Sequence, residues 1–321
     1  MADVTGVGGE AVEVRVVSGD VRDVQGVQGV QGVQDVRDVR DVRDVRGVVS
    51  WGGRAREGLR GYRLIVAMWI RSTMAYRASF LLAAFGNAVI SLLDFVAIAV
   101  MFSHIDALGG FTLPEIALLY GSCSVSLGLA DLFLGNTDRI GVRIRDGSLD
   151  TMLVRPVPVL AQVAADRFAL RRLGRITQGL AVMTWGISVL EVDWTAGKVL
   201  LVPVMVVAGA AIFAAVLVAG AAFQFIAGDA AEVQNSFTYG GCTMLQYPPT
   251  VFGRDLLRGV TFVVPLAFVN WLPALYVLGR PVPLGLPQWT AFLSPLVAFL
   301  LFLPASLAWR AGVRSYRSTG S

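Results

Sequence analysis

Several stretches of this chain stay apolar for about twenty residues, and that fact limits its fold more than any other. A hydrocarbon layer about 30 Å thick takes roughly 20 apolar helical residues to cross. Residues 80–102 and 114–135 are two such runs, 173–192 is a shorter third, 199–227 a fourth and 288–309 the last. At 1.5 Å per residue the fourth would reach about 43 Å, so it must tilt or project beyond a bilayer. Between the fourth and last runs lies 229–280, which holds a further apolar stretch at 256–279. With 55% hydrophobic and 16% charged residues, the chain falls well short of the roughly 25% charge of soluble domains. Mean hydropathy is +0.65. The fold class expected is all-α, a polytopic integral membrane protein.

Arginine placement gives an orientation, because basic residues flanking spans stay cytoplasmic. Residues 54–77 hold six Arg, the 136–175 loop eight and the stretch after Trp309 three. The opposite loops, 103–113 and 193–198, hold only Lys198. Both termini are therefore expected in the cytoplasm, which requires an even number of spans, and six transmembrane helices is the natural count. The fifth span has two placements that keep this parity. Either 256–279 crosses, or the more polar 232–247 crosses and 256–279 dips back from outside as a re-entrant hairpin. Prolines 248, 249, 265 and 273 suit a broken, protein-buried segment. Upstream, 59–78 carries Arg60, Arg63 and Arg71 near one face and Ile65, Trp69 and Tyr76 near another, the pattern of an N-terminal interfacial helix or of an ordinary basic flank.

Residues 1–50 read differently. Six Arg oppose nine acids in 1–47, a net of −3, so the remainder carries +7. Valine recurs at every third position from Val21 to Val48, a period matching neither strand nor helix. Glycine fills the third position only in part, so a triple helix fails as well. The expectation is a disordered low-complexity tail, or translation from a start upstream of the true one, with no cleavable signal before the first apolar run. The membrane domain is then 51–321.

The sequence contains no G-x-x-x-x-G-K-[ST] phosphate loop, H-E-x-x-H or G-x-S-x-G motif. Cys123 and Cys242 lie in apolar sequence without metal spacing, and His104 is the lone histidine. No enzymatic constellation, metal site or resident cofactor is expected, and the charge is too scattered for nucleic acid. Asp94 falls about 21 Å along the first span from Phe80. An intramembrane carboxylate is a candidate polar site, its plainer alternative being a structural acid bonded within the bundle. Asp131 sits near the inner end of the second span, where an interfacial position explains it. Small residues gather at Gly121, Ser122, Ser124, Ser126 and Gly128, and at Ala210, Ala211, Ala214 and Ala215. They fit a translocation wall, a subunit contact or intrachain packing.

The most specific segment is the cytoplasmic loop 140–156, I-G-V-R-I-R-D-G-S-L-D-T-M-L-V-R-P. Asp146-Gly147 signals a turn, Ser148 can cap a helix with Asp150 in its first turn, and Pro156 limits that helix. Leu149 and Leu153 fall at i, i+4 and are expected on one face. A soluble partner pushes well on such a short, rigid element.

This loop resembles that of permease subunits of ABC transporters of the ABC-two type, in the branch with a G-x-L-D-x-x-L-x-R-P loop. Gly147, Leu149, Asp150, Leu153, Arg155 and Pro156 match it. Tyr76-Arg77-Ala78-Ser79-Phe80 is similar to the family's Y-R-x-x-F before the first span. Tyr247-Pro248, the 261–265 stretch T-F-V-V-P, Pro273-Ala274 and Leu278-Gly279 resemble its late signature, and Tyr316 with Gly320 its terminal Y-x-x-x-G. The resemblance covers roughly 59–320. It implies a coupling loop, with Ser148 inside it, that docks on a separate P-loop ATPase subunit carrying the ATP and Mg. It also implies a second permease, homo- or heterodimeric, export across the cell membrane, and the external re-entrant placement for 248–279. Rival classes are an ion-gradient-driven secondary transporter with Asp94 titrating, and a structural membrane subunit with no transport path.

Overall fold

A computed structural model describes residues 51–166 and 170–317; the period-three segment 1–50 lies outside the described residues, and so does Gly320. The described chain is helical, with one isolated bridge between Leu108 and Phe111. In order the helices are α1 (Trp51–Ala75), α2 (Arg77–Phe102), α3 (Leu113–Leu134), α4 (Ile140–Arg145), α5 (Ser148–Leu153), α6 (Val159–Ala165), α7 (Leu173–Val189) and α8 (Ala196–Ala227). Then follow α9 (Ala231–Asn235), α10 (Gly241–Leu245), α11 (Arg254–Arg258), α12 (Trp271–Val277) and α13 (Ser294–Ser315). Among the described residues, four helices are long and apolar enough to cross a membrane: α2, α3 with its continuation to Arg145, α8 and α13.

The apolar runs locate these helices well, with two corrections. The third run was expected over 173–192, but α7 stops at Val189, with Leu190 already extended, and its 17 residues are short for a crossing. The last was expected to begin at 288. Residues Gln288–Phe292 instead form a 3-10 turn, and the α-helix starts at Ser294 with Pro295 in its first turn, where a missing N–H costs nothing. It then runs on to Ser315. The upstream helix likewise begins at Trp51 and ends at Ala75, so Tyr76 is a joint and not a helical residue.

Helix α3 is the axis of the bundle, with Ile116 to Leu119, Cys123 and Ser126 sealed from solvent. Gly121, Gly128 and Ser126 pack within the chain. A Cβ on Gly121 would lie 2.6 Å from the Gly179 carbonyl oxygen, so α3 and α7 touch backbone to backbone. Ser126 Oγ donates to the Val206 carbonyl at 3.1 Å, tying α3 to α8.

The segment between α8 and α13 is folded back on itself. α9 and α10 are joined by the π-helical turn Ser236–Gly240 and climb along α3, from the Tyr239–Asp131 hydrogen bond (2.9 Å) to the Gln246–Ser124 one (3.4 Å). The next helical pair, Arg254–Val263 and Leu266–Val277, is bent by 79° at Val264-Pro265. A straight helix across 256–279 is therefore excluded. Both ends of the bent pair meet the α2–α3 loop: Val251 lies against Gly109, and Arg280 Nη2 donates to the Gly110 carbonyl at 2.7 Å. The segment enters and leaves at one end of the bundle.

Candidate functional site

At the opposite end of α3, helices α4, α5 and α6 make a compact cap. Gly147 has φ 70°, the left-handed conformation that a residue without Cβ adopts freely. This reverses the chain between α4 and α5. Ser148 was expected to cap α5, but it is the first helical residue and Gly147 is the N-cap, with no side-chain cap bond; Asp146 Oδ1, one residue earlier, accepts from Ser148 N at 2.9 Å and Ser148 Oγ at 2.6 Å. Those two bonds, the hydroxyl one first, favour the ionised form and hold the Asp146 carboxyl below its ordinary range.

Leu149 is 1% exposed and Met152 7%. With Ile140 and Val163 they form a cluster against Val218 and Ala221 of α8 and Ala305 and Trp309 of α13. The shared face expected for Leu149 and Leu153 is not observed: Leu153 is 39% exposed, and Val154 beside it 85%. The buried pair is spaced i, i+3, and α5 ends at Leu153, so the last turn unwinds away from the bundle. Thr151, Leu153, Val154, Arg155 and Pro156 thus make an exposed ridge on a rooted base.

The base is tied down on every side. Gln162 Nε2 donates to the carbonyls of Met152 (2.8 Å) and Val157 (2.7 Å), closing the loop on itself. Gly141 N donates to Gln224 Oε1 at 2.9 Å, and Gln224 Nε2 to Gln234 Oε1 at 3.0 Å. Arg145 pairs with Asp229 at 2.5 Å, and Arg143 with Asp166. Asp150 faces Tyr316, just past α13, and the Tyr316 phenol is pushed up by burial and then by this carboxylate. Helix α1 completes the seat: a Cβ on Gly61 would meet Val157 Cγ1 at 2.8 Å. The base of the ridge thus rests on the ends of α8 and α13.

Asp94 is placed apart from this cap, exposed on α2 and lining a cleft of about 350 Å³ with Tyr120, Ser124, Arg175, Tyr239 and Gln246. Asp131, near the end of α3, is 6% exposed. Its Oδ2 meets Arg172 Nε at 2.9 Å, and its Oδ1 accepts from Tyr239 Oη at 2.9 Å. The two cysteine sulfurs, on α3 and α10, are 2.9 Å apart. Sequence spacing gave no sign of the Asp131 or cysteine contacts, which join residues 41, 108 and 119 positions apart.

The described residues thus form a bundle containing membrane-length helices, with a rooted, outward-facing loop at one end. The chain belongs to the ABC-2 family of transporter proteins: the model of that family, described as ABC-2 family transporter protein, matches residues 88–320. No curated protein and no solved structure matches the chain. Membership makes the protein an ABC transporter permease, resident in a membrane, of a kind that is normally non-catalytic and works with an ABC ATPase subunit.

Proposed function

We propose that this permease is half of the membrane portion of an ATP-driven exporter in the cell membrane, with cap residues 140–156 as the element on which the ATPase acts. The observation carrying this reading is the contrast within α5 and its end. Leu149 and Met152 are locked to α8 and α13, while Leu153 and Val154 face outward. Apolar side chains standing in solvent on a rigid base are what a docking partner buries. Closure of an ATPase dimer under the ridge would tilt α8 and α13 and switch the bundle between inward- and outward-open states. ATP and Mg belong to that partner, and a second permease, of the same or another chain, completes the pathway.

The topology proposed has six crossings: α2, α3, α7, α8, residues 231–245 and α13. The bent pair is re-entrant from outside, because both of its ends meet the α2–α3 loop. α1 lies along the cytoplasmic leaflet and both termini are cytoplasmic, in keeping with the arginine distribution. The test is affinity purification from membranes in mild detergent. A P-loop ATPase co-eluting in stoichiometric amount supports the reading, and a permease that purifies and transports alone contradicts it.

A further inference from the structure

The cleft at Asp94 carries two opposite charges that the fold leaves unneutralised. Among the described residues no hydrogen bond or ion pair reaches the Asp94 carboxylate. Among the described residues Arg175 makes no ion pair either; its guanidinium stacks over the Tyr239 ring, 5.3 Å from the centroid. The neighbouring acid, Asp131, is already taken up by Arg172 and Tyr239. Ionisable groups in membrane helices are costly, and they persist where a ligand or pathway uses them.

The helix positions carrying the two charges meet α3 at different levels. Asp94 precedes Phe95, whose ring sits 5.3 Å from Tyr120, so it belongs to the Tyr120 level. Arg175 precedes Ile176, which packs on Gly128, so it belongs to the Leu127 level. Tyr120 and Leu127 are seven residues apart on α3, about 10 Å along the helix. Between them the wall offers Ser124 and Gln246, hydrogen-bonded to each other at 3.4 Å. A volume of about 350 Å³ falls at the lower end of small-molecule sites.

We infer that this cleft binds a small zwitterionic molecule, its cationic group on Asp94 and its anionic group on Arg175. A ligand of single charge would leave the other charge of the cleft without a counterion, whereas a dipolar one satisfies both by charge-assisted contacts. The inference deepens the permease reading by naming a substrate class. Binding itself does not depend on that reading.

The test is calorimetric titration of the purified full-length chain, in uncharged detergent, with glycerophosphocholine as the soluble zwitterionic probe. Choline and glycerol phosphate serve as its two halves, and dihexanoyl-phosphatidylcholine as the same head group on lipid chains. Glycerophosphocholine is expected to bind at least tenfold more tightly than either half. Asp94→Asn should reduce its affinity to that of glycerol phosphate, and Arg175→Gln to that of choline. Tighter binding of the lipid probe would assign the site to a lipid head group, and equal binding to a soluble solute; both outcomes support the inference. Absence of discrimination between the whole probe and its halves in wild type overturns it, even if a variant fails to fold. So does unchanged affinity in both variants with normal melting. Loss of discrimination with an ATPase still co-eluting defeats only this inference, and binding without any ATPase defeats only the exporter reading.

Discussion

Arg280 holds Glu115 through two parallel hydrogen bonds, Nε to Oε1 and Nη2 to Oε2, each 2.8 Å. The same Glu115 Oε2 accepts from the Thr112 backbone N–H at 2.7 Å, so one carboxylate both starts α3 and anchors the chain that leaves the bent pair. The Arg280 guanidinium also lies 4.1 Å over the Phe111 ring. Glu115→Ala removes the acceptor of all these donors and should cost about 1–3 kcal/mol. Because both residues act on one contact, Glu115→Ala with Arg280→Ala should cost less than the two singles added together. Thermal unfolding in detergent reads all three, and strict additivity would show that the pair is not coupled.

Leu149 and Leu153 should part company on truncation. Leu149→Ala opens a cavity in a sealed cluster and should cost about 2–5 kcal/mol, seen as reduced recovery from membranes and a lower melting temperature. Leu153→Ala should leave both near wild type. Equal melting temperatures for the two variants would mean that the cap is not rooted as described.

Asp146 makes a pH prediction whose sign is fixed by its lowered carboxyl. A carboxylate with a lower pKa when folded stabilises above its unfolded value, near 4, and loses that contribution only as pH falls through the folded one. The Ser148 amide should therefore stay protected from hydrogen exchange between pH 7 and pH 5, and lose protection at pH 7 in Asp146→Ala. Protection that disappears in wild type between pH 7 and pH 5 would contradict the assignment.

What the sequence carried, and what it withheld, divides along physical lines. Residues 80–102 and 114–135 predicted α2 and α3 closely, because a predominantly apolar run of that length must satisfy its own backbone and does so as a helix. The Asp146-Gly147 turn was equally legible, since local backbone chemistry sets it. The start of α13 was misplaced because Pro295 shifts the first α-helical turn past a 3-10 segment that is just as apolar. Periodicity put Leu149 and Leu153 together, yet α5 has only six residues, and a helix that short takes its buried face from what it rests on. Arg172, Tyr239 and Asp131 could be joined only by the packing of α3 against distant segments, and no spacing rule encodes that.

The bent pair predicts a labelling pattern. Arg254 is exposed at the start of α11, at the end of the bundle that also holds Gly109 and Arg280. Arg254→Cys should react with an impermeant thiol reagent in intact cells, while wild type, whose Cys123 and Cys242 are buried, should not. Labelling that requires permeabilisation would place this end in the cytoplasm and undo the re-entrant assignment.

Val154 is the most direct probe of the coupling claim, being 85% exposed on the ridge while Leu149 beneath it is 1% exposed. A benzophenone maleimide attached to Val154→Cys, irradiated in native membranes, should cross-link to the ATPase subunit, and the yield should change when ATP closes the ATPase dimer. The same reagent on Arg254→Cys, at the far end of the bundle, should give no such product. Irradiation of the Val154→Cys protein that yields no ATPase adduct, while the ATPase still co-purifies and hydrolyses ATP with the permease, would contradict the assignment of residues 140–156 as the coupling element.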